Sequence, residues 1–194
     1  MTATRRFKAV VIGTSAGGME ALRIVLGGLE AGLPVPILIV QHLSPDSDSF
    51  LPTYLDEHSR LRAKEAEDKE SLMAGVVYVA PPNYHLLVEA NETLSLCAGE
   101  RVNFSRPSID VLFESAADAF GADLIGVVLT GANQDGAKGL ARIKQLGGVA
   151  MVQDPSTAKA QAMPQAALTA TPVDYVLSLQ DIARHLNRLL KDIP

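Results

Sequence analysis

Hydrophobic positions along the chain form runs that are typical of buried parallel strands. Unbroken apolar runs occur at residues 9–12, 36–40 and 124–129, and none of them alternates with polar residues. Strands covered by helices on both faces have this pattern. Turn residues and then a segment with helical spacing follow each run, so the chain is predicted to alternate strands with helices.

Later segments extend the same pattern. Gly147-Gly148 is a helix stop, and basic residues late in the last helix suit the negative end of the helix dipole. The predicted helices lie at residues 19–29, 49–58, 137–146 and 179–190, and two further strands lie at residues 149–152 and 174–177.

The middle of the chain differs, because its strand-like segments are short and closely spaced. Segments 76–80, 85–89 and 93–97 are separated by turn residues, which predicts an antiparallel insertion. Pro107 is predicted to open a helix that runs to Phe120. The predicted fold class is α/β, a doubly wound and mostly parallel sheet with helices on both faces and a small antiparallel insertion. We expect one domain over residues 1–194.

Composition excludes several classes of function. The chain is 47% hydrophobic and 20% charged, which is ordinary for a soluble globular protein. A net charge of −5 without a basic run or a tryptophan argues against nucleic-acid binding. No apolar run reaches membrane-spanning length, so we expect no membrane insertion. The single cysteine, Cys97, cannot form an internal disulfide and suits the cytoplasm; its strand-like surroundings predict a small buried hydrophobe.

A glycine-rich turn, Gly13-Thr14-Ser15-Ala16-Gly17-Gly18, follows the first predicted strand. Gly13 and Gly17 flank Ser15 in the pattern G-x-S-x-G, which in hydrolases presents a nucleophile at a sharp strand-to-helix turn. Two other interpretations remain open. Ser15 is also a suitable helix N-cap. A nucleotide-binding turn fits less well, because Ser15 replaces a glycine of that motif and Gln41-His42 ends the next strand where an acidic residue is expected.

Reactive residue types follow three predicted parallel strands. Ser15 comes after the first, His42 after the second, and Asp135 lies in the loop after the third. The carboxyl ends of parallel strands share one edge of a sheet, so the three side chains are expected to meet. A serine needs an imidazole to take its proton, and a carboxylate orients that imidazole. Ordinary roles stay open: a loop or core histidine for His42 and a helix N-cap for Asp135.

The remaining polar residues suggest no metal or cofactor site. His58 and His185 are predicted at the surface, and the role of His85 stays open. Residues 64–70 carry four acidic side chains with lysines interleaved, which favours a solvated charged segment over a cation site. We expect neither a metal nor a cofactor.

A series of ordered motifs runs along the chain: Ile12-Gly13-Thr14-Ser15-Ala16-Gly17-Gly18, Gln41-His42, Lys64-Glu65-Ala66-Glu67-Asp68, Tyr78-Val79-Ala80-Pro81, Arg106-Pro107-Ser108-Ile109-Asp110-Val111-Leu112-Phe113, Leu129-Thr130-Gly131 with Asp135-Gly136-Ala137, and Met163-Pro164. With these motifs the chain resembles the catalytic domain of the chemotaxis protein-glutamate methylesterases, nearly from end to end. The resemblance implies that Ser15 is the nucleophile, His42 the base and Asp135 the orienting acid.

The chain departs from the family pattern in three places. Ala16 replaces a threonine, and Ala132 replaces a methionine whose backbone N–H the resemblance assigns to the oxyanion hole. Asn133 replaces a glycine. Asparagine tolerates a left-handed backbone better than most residues do, so we expect the loop to keep its form. The chain begins almost at the first strand, so we expect no receiver domain and no control by phosphorylation in cis.

The resulting expectation is a serine hydrolase that demethylates glutamyl methyl esters of chemoreceptors and can also deamidate glutamines. The backbone N–H groups of Ala132 and Ala16 are the candidate oxyanion donors. Thr14 and Arg106 are candidate substrate-binding residues, with a structural salt bridge as the alternative for Arg106. The expected partner is the methylated cytoplasmic region of chemoreceptors or another methylated signalling protein. A non-catalytic binding module of the same fold and a small-molecule carboxylesterase are the alternative functions.

Overall fold

Seven parallel strands form the central sheet of the computed structural model, which describes residues 7–43 and 50–191. The order across the sheet is β3-β4-β2-β1-β7-β8-β9, and β5 and β6 form a separate antiparallel hairpin. The strands are β1 (Ala9–Thr14), β2 (Ile37–Gln41), β3 (Arg62–Glu65), β4 (Val76–Val79), β5 (His85–Val88), β6 (Leu94–Cys97), β7 (Leu124–Val128), β8 (Val149–Gln153) and β9 (Tyr175–Leu177).

Helices cover both faces of this sheet. Alternate residues of β1 point to opposite faces, so Val10 and Ile12 enter one core while Ala9 and Val11 enter the other. Helices α1, α2 and α6 pack on the first face; α3, α4, α5 and the hairpin pack on the second. The helices are α1 (Gly18–Gly27), α2 (Phe50–His58), α3 (Ile109–Phe120), α4 (Ala137–Gln145), α5 (Ala162–Ala170) and α6 (Leu179–Lys191). The predicted doubly wound fold class is confirmed.

The pairing of β4 corrects one prediction. The segment 76–80 was expected in the antiparallel insertion, but β4 pairs in parallel with β2 and β3 inside the main sheet. Only the hairpin of β5 and β6 is antiparallel. The sequence also gave no indication of β3, because this edge strand is charged and only partly buried. An edge strand needs no apolar run, because its faces are less completely covered than those of the central strands.

Three further local predictions differ from the structure. Helix α3 begins at Ile109 and not at Pro107, which lies two residues earlier in a cis peptide with Arg106. Helix α5 was not predicted. Cys97 is exposed, so the prediction of a buried side chain is wrong. The first residue of the predicted helix 49–58 lies outside the described residues.

Strand order positions the candidate site. Strand β1 lies between β2 and β7, and the chain leaves β1 toward β2 on one side of the sheet and reaches β7 on the other. Such a switch point opens a crevice at the carboxyl ends of the strands. The turn after β1, the residues after β2 and the loop after β7 therefore come together at one edge of the sheet.

Candidate active site

The turn that carries Ser15 is held from both neighbouring strands. The Ser15 N–H donates to the Thr130 carbonyl at 3.0 Å, and the Ser15 carbonyl accepts from Gly18 N–H at 2.8 Å. Gln41 Nε2 also donates to the Ser15 carbonyl at 2.9 Å and to the His42 carbonyl at the same distance. Gly17, with φ of 81°, is the N-cap of α1. The N-cap interpretation of Ser15 is therefore wrong.

His42 lies one residue beyond the paired part of β2. Its N–H donates to the Thr14 carbonyl at 3.1 Å, which continues the parallel ladder past Gln41. Its ring Nε2 donates to Asp135 Oδ2 at 2.7 Å, with the side chain of His42 12% exposed and that of Asp135 fully buried. In the neutral ring, donation from Nε2 to Asp135 makes Nδ1 the nitrogen that can accept a proton.

The Asp135 carboxylate is surrounded by hydrogen-bond donors. Two of these are the first backbone N–H groups of α3, so the carboxylate lies at the positive end of that helix. Burial favours the neutral acid, but the hydrogen bonds outweigh burial and hold the pKa of Asp135 below its ordinary value. The donors are His42 Nε2 at 2.7 Å, Ile109 N at 2.6 Å, Asp110 N at 3.1 Å, Ser108 Oγ at 2.8 Å and Asn103 Nδ2 at 2.8 Å.

Asp135 caps a helix, although not the one that follows it. The residue after it, Gly136, is the N-cap of α4 and has φ of 95°. The N–H groups of Gly136 and Gly139 instead donate to Asp110 Oδ1, at 3.0 and 2.7 Å. Burial, together with the nearby charge of Asp135, raises the pKa of Asp110. Asp135 is thereby left available to His42.

Asn103, Ser108 and Asp110 are site residues that the sequence reasoning did not assign. Asn103 Nδ2 donates to Asp110 Oδ2 and to Asp135 Oδ1, both at 2.8 Å. Buried His85 supports the same region, since its Nε2 donates to the Glu100 carbonyl at 2.8 Å and its Nδ1 accepts from Ser108 N–H at 3.1 Å. Ser108 and Asp110 lie in one of the motifs shared with the family, and that motif was the available signal.

Asn133 also contacts the histidine. Its Nδ2 lies 3.4 Å from His42 Nδ1, and its Oδ1 accepts from Asp135 N–H at 3.1 Å. Asn133 does not adopt the left-handed backbone that asparagine tolerates, because its φ is not positive. Asn133 therefore replaces the family glycine with a side chain that reaches the base.

Ser15 and His42 occupy equivalent positions past the ends of adjacent strands, since Thr14 pairs with Gln41. Within residues 7–43 and 50–191, no hydrogen bond joins the Ser15 hydroxyl to the His42 ring. Ser15 lines a cavity of 480 Å³ with Gly18, Gln41 and Lys159 among its other walls. The structure thus joins His42 to Asp135 and places Ser15 on the neighbouring turn.

The other predicted site residues occupy different surroundings. Ala16 and Ala132 are exposed, and neither backbone N–H has an acceptor in the described part of the chain. Thr14 is completely buried, and its hydroxyl donates to the Thr130 carbonyl at 2.8 Å, so it ties two loops together. Arg106 lines a cavity of 80 Å³ beside His42. Its Nη1 donates to the Ala98 and Gly99 carbonyls, whereas its buried Nε has no partner.

The described residues contain no cluster of three or more histidine, cysteine, aspartate or glutamate side chains that could hold a metal. The acidic stretch is paired internally, because Lys64 Nζ contacts Glu67 at 2.7 Å and Glu70 at 2.6 Å. No helix in the ranges that the structure covers is both long and apolar enough to cross a membrane.

Comparison with known proteins points to one family. A family model described as CheB methylesterase matches residues 10–186. A Leptospira interrogans protein named putative protein-glutamate methylesterase/protein-glutamine glutaminase is 54% identical over 94% of this chain and 95% of its own length. A Caulobacter vibrioides protein-glutamate methylesterase/protein-glutamine glutaminase 2 is 41% identical over 92% of this chain and 53% of its own length.

A solved structure agrees with these matches. The crystal structure of the Thermotoga maritima CheB methylesterase catalytic domain superposes with a TM-score of 0.90 at 36% sequence identity. The alignment covers 94% of this chain and 98% of that one. The similarity therefore extends over the whole catalytic domain of that protein.

Proposed function

Because the chain belongs to the CheB methylesterase family, we propose that it is a serine hydrolase that demethylates glutamyl methyl esters of chemoreceptors. The observation that carries the proposal is the 2.7 Å hydrogen bond between His42 and the buried Asp135, at the strand end next to Ser15. The proposed triad is Ser15 as nucleophile, His42 as base and Asp135 as orienting acid. The proposed place of action is the cytoplasm.

The proposed reaction begins with a proton transfer. His42 Nδ1 accepts the proton of Ser15 as Oγ attacks the ester carbonyl, and Asp135 stabilises the imidazolium through Nε2. The backbone N–H groups of Ala16 and Ala132 donate to the oxyanion of the tetrahedral intermediate. Methanol leaves with the proton from His42. His42 then deprotonates a water that attacks the acyl-enzyme, and the proton passes to Ser15 Oγ as the acyl–oxygen bond breaks and the glutamate carboxylate is released.

The same residues support glutamine deamidation. An amide carbonyl reacts with Ser15 through the same intermediate, and only the leaving group changes, from methanol to ammonia. Protonation of that poorer leaving group depends more strongly on His42. The chemistry assigns no step to a metal or a cofactor.

Methanol release from a methylated receptor fragment tests the proposal. We expect Ser15→Ala to lower kcat/KM by roughly 10³-fold or more, because the covalent route is lost. A fluorophosphonate probe is expected to label wild-type protein at Ser15 and to leave Ser15→Ala unlabelled. Near-normal methanol release by Ser15→Ala would refute the mechanism.

Two further outcomes identify the alternatives. Absence of labelling, together with a stable complex with a receptor fragment, would indicate a non-catalytic binding module. Labelling with turnover of simple esters but no methanol release from the receptor fragment would indicate a small-molecule carboxylesterase.

A further inference from the structure

Phe104 is an aromatic side chain that the fold leaves in solvent. It is 96% exposed, and its backbone has φ of 64°. Bulky residues rarely adopt this left-handed conformation, and the preceding Asn103 also has a positive φ of 51°. Strained backbone of this kind is concentrated at functional sites. An exposed aromatic ring contributes no hydrophobic stabilisation to the fold, but covering it with a partner removes apolar surface from water and favours binding.

The turn that presents Phe104 is fixed in place. Val102 N–H donates to the Ser105 carbonyl at 3.1 Å, and Ser105 N–H donates to the Val102 carbonyl at 2.9 Å. At the base of the turn, Asn103 Nδ2 donates to both Asp110 and Asp135. Phe104 is therefore held at a set position relative to the carboxylate that orients His42.

Phe104 separates two depressions at the mouth of the site. On one side is the 80 Å³ cavity that it lines with His42. On the other side is a groove of 450 Å³, in which Asn133 and Gln134 meet Ala162 and Ala166 of α5. A chain segment that covers the ring would lie across the entrance to the catalytic residues.

Unpaired cations lie beside this entrance in a protein of net charge −5, whereas Glu20, which lines the cavity of Ser15, is paired with Arg23. Arg101 and Arg106 line the cavity beside His42, and Lys159 lines the cavity of Ser15. Within the described ranges none of these cations has an ion-pair partner, whereas most other lysines and arginines there are paired. The charge at the mouth is complementary to an acidic segment.

We propose that Phe104 is a docking anchor for the protein substrate, and that the surrounding cations select an acidic segment next to the methylated glutamate. This inference rests on the proposed function and names the part of the substrate that the site recognises. An aromatic ring that is buried on binding commonly dominates an interface, while charges at its rim set selectivity and association rate.

Binding of a labelled peptide tests the anchor separately from the chemistry. The probe is a fluorescein-labelled peptide with one γ-methyl glutamate flanked by glutamates, and its twin has serines in place of those glutamates. Binding is measured by fluorescence anisotropy on the Ser15→Ala protein, which cannot turn the ester over. Adding Phe104→Ala is expected to weaken binding of the acidic peptide by about tenfold, with Phe104→Leu in between.

Matched variants control for exposure and charge. Met73 is 61% exposed and lies before β4, at the amino ends of the strands and so opposite the carboxyl ends that carry the site. Met73→Ala is therefore expected to leave affinity unchanged. Arg101→Gln is expected to weaken binding of the acidic peptide and to leave binding of the serine-containing peptide unchanged. Arg60 is exposed and also lies at the amino ends of the strands, so Arg60→Gln is expected to leave the affinity for both peptides unchanged.

The outcomes separate this inference from the proposed function. Equal affinity of Phe104→Ala and its parent, equal affinity for the two peptides, or no binding to either would overturn the docking surface. If wild-type protein releases methanol regardless of Phe104, the proposed function stands without the anchor. If binding depends on Phe104 but wild-type protein releases no methanol, the anchor stands and the proposed function fails.

Discussion

Asp135 and Asp110 exchange capping roles, because each accepts hydrogen bonds from the N-terminus of the helix associated with the other. Asp135, just before α4, accepts the first N–H groups of α3, including that of Asp110 itself at 3.1 Å. Asp110, in the first turn of α3, accepts the N–H groups of Gly136 and Gly139 at the start of α4. The exchange clamps the two helices together, and it leaves the remaining capacity of Asp135 for His42. Stability and catalytic geometry are therefore coupled through one pair of carboxylates.

We expect Asp110→Ala to lower the free energy of unfolding by about 2–3 kcal/mol, because two buried N–H groups of α4 and Asn103 Nδ2 lose their acceptor. Urea unfolding measures the change. Asp118→Ala, on the exposed face of the same helix, removes only a surface ion pair with Arg142 and is expected to stay within about 0.5 kcal/mol. A similar small effect of Asp110→Ala would show that water replaces the carboxylate at no cost.

The lowered pKa of Asp135 predicts how stability changes with pH. Because the folded pKa lies below the unfolded one, the ionised carboxylate stabilises the fold above the ordinary value of about 3.9. That contribution is lost as pH falls through the folded pKa. We expect the stability difference between wild-type protein and Asp135→Asn to be large at pH 7 and to shrink below pH of about 4.

Urea unfolding at several pH values makes this comparison. Asp154→Asn is a useful control, since the pKa of Asp154 is also lowered but its partner is a serine in an exposed turn. If the difference in the free energy of unfolding between wild-type protein and Asp135→Asn stayed constant with pH, the charge of Asp135 would make no contribution to stability.

Asn133 competes for the nitrogen that must accept the Ser15 proton. Its Nδ2 lies 3.4 Å from His42 Nδ1, at the long end of a hydrogen bond. We expect Asn133→Gly to raise kcat/KM by about threefold, the factor that one weak hydrogen bond corresponds to. Methanol release under steady-state conditions measures it. A loss of activity would instead indicate that Asn133 positions the imidazole.

Gln41 joins the nucleophile turn to the base. Its Nε2 donates to the carbonyls of Ser15 and His42, and its Oε1 is buried without a partner. Gln41→Leu keeps the volume and removes both hydrogen bonds, so we expect a lower kcat with little change in KM and a destabilisation of about 1–3 kcal/mol. Gln145→Leu, at the exposed end of α4, is the control. An unchanged kcat would contradict a positioning role.

The central strands, and the common end of the sheet at which they stop, follow from the amino-acid sequence alone. The apolar runs of β1, β2 and β7 indicate burial on both faces, and an apolar run can be recognised within the segment itself. Parallel pairing then brings the residues that follow these strands to one edge. The positions of His42 and Asp135 after their strands therefore predict the contact that the structure shows between them.

Which segments pair, and which donors the buried carboxylates accept from, is seen only in the folded chain. Strand β4 has an apolar run that suits either a parallel or an antiparallel neighbour. Of its true partners, β2 is remote in the sequence and β3 has no apolar run of its own. The exchange between Asp110 and Asp135 requires two helices to pack with their N-termini side by side. Hydrogen bonds between distant segments depend on that packing, and hydrophobic spacing carries no record of it.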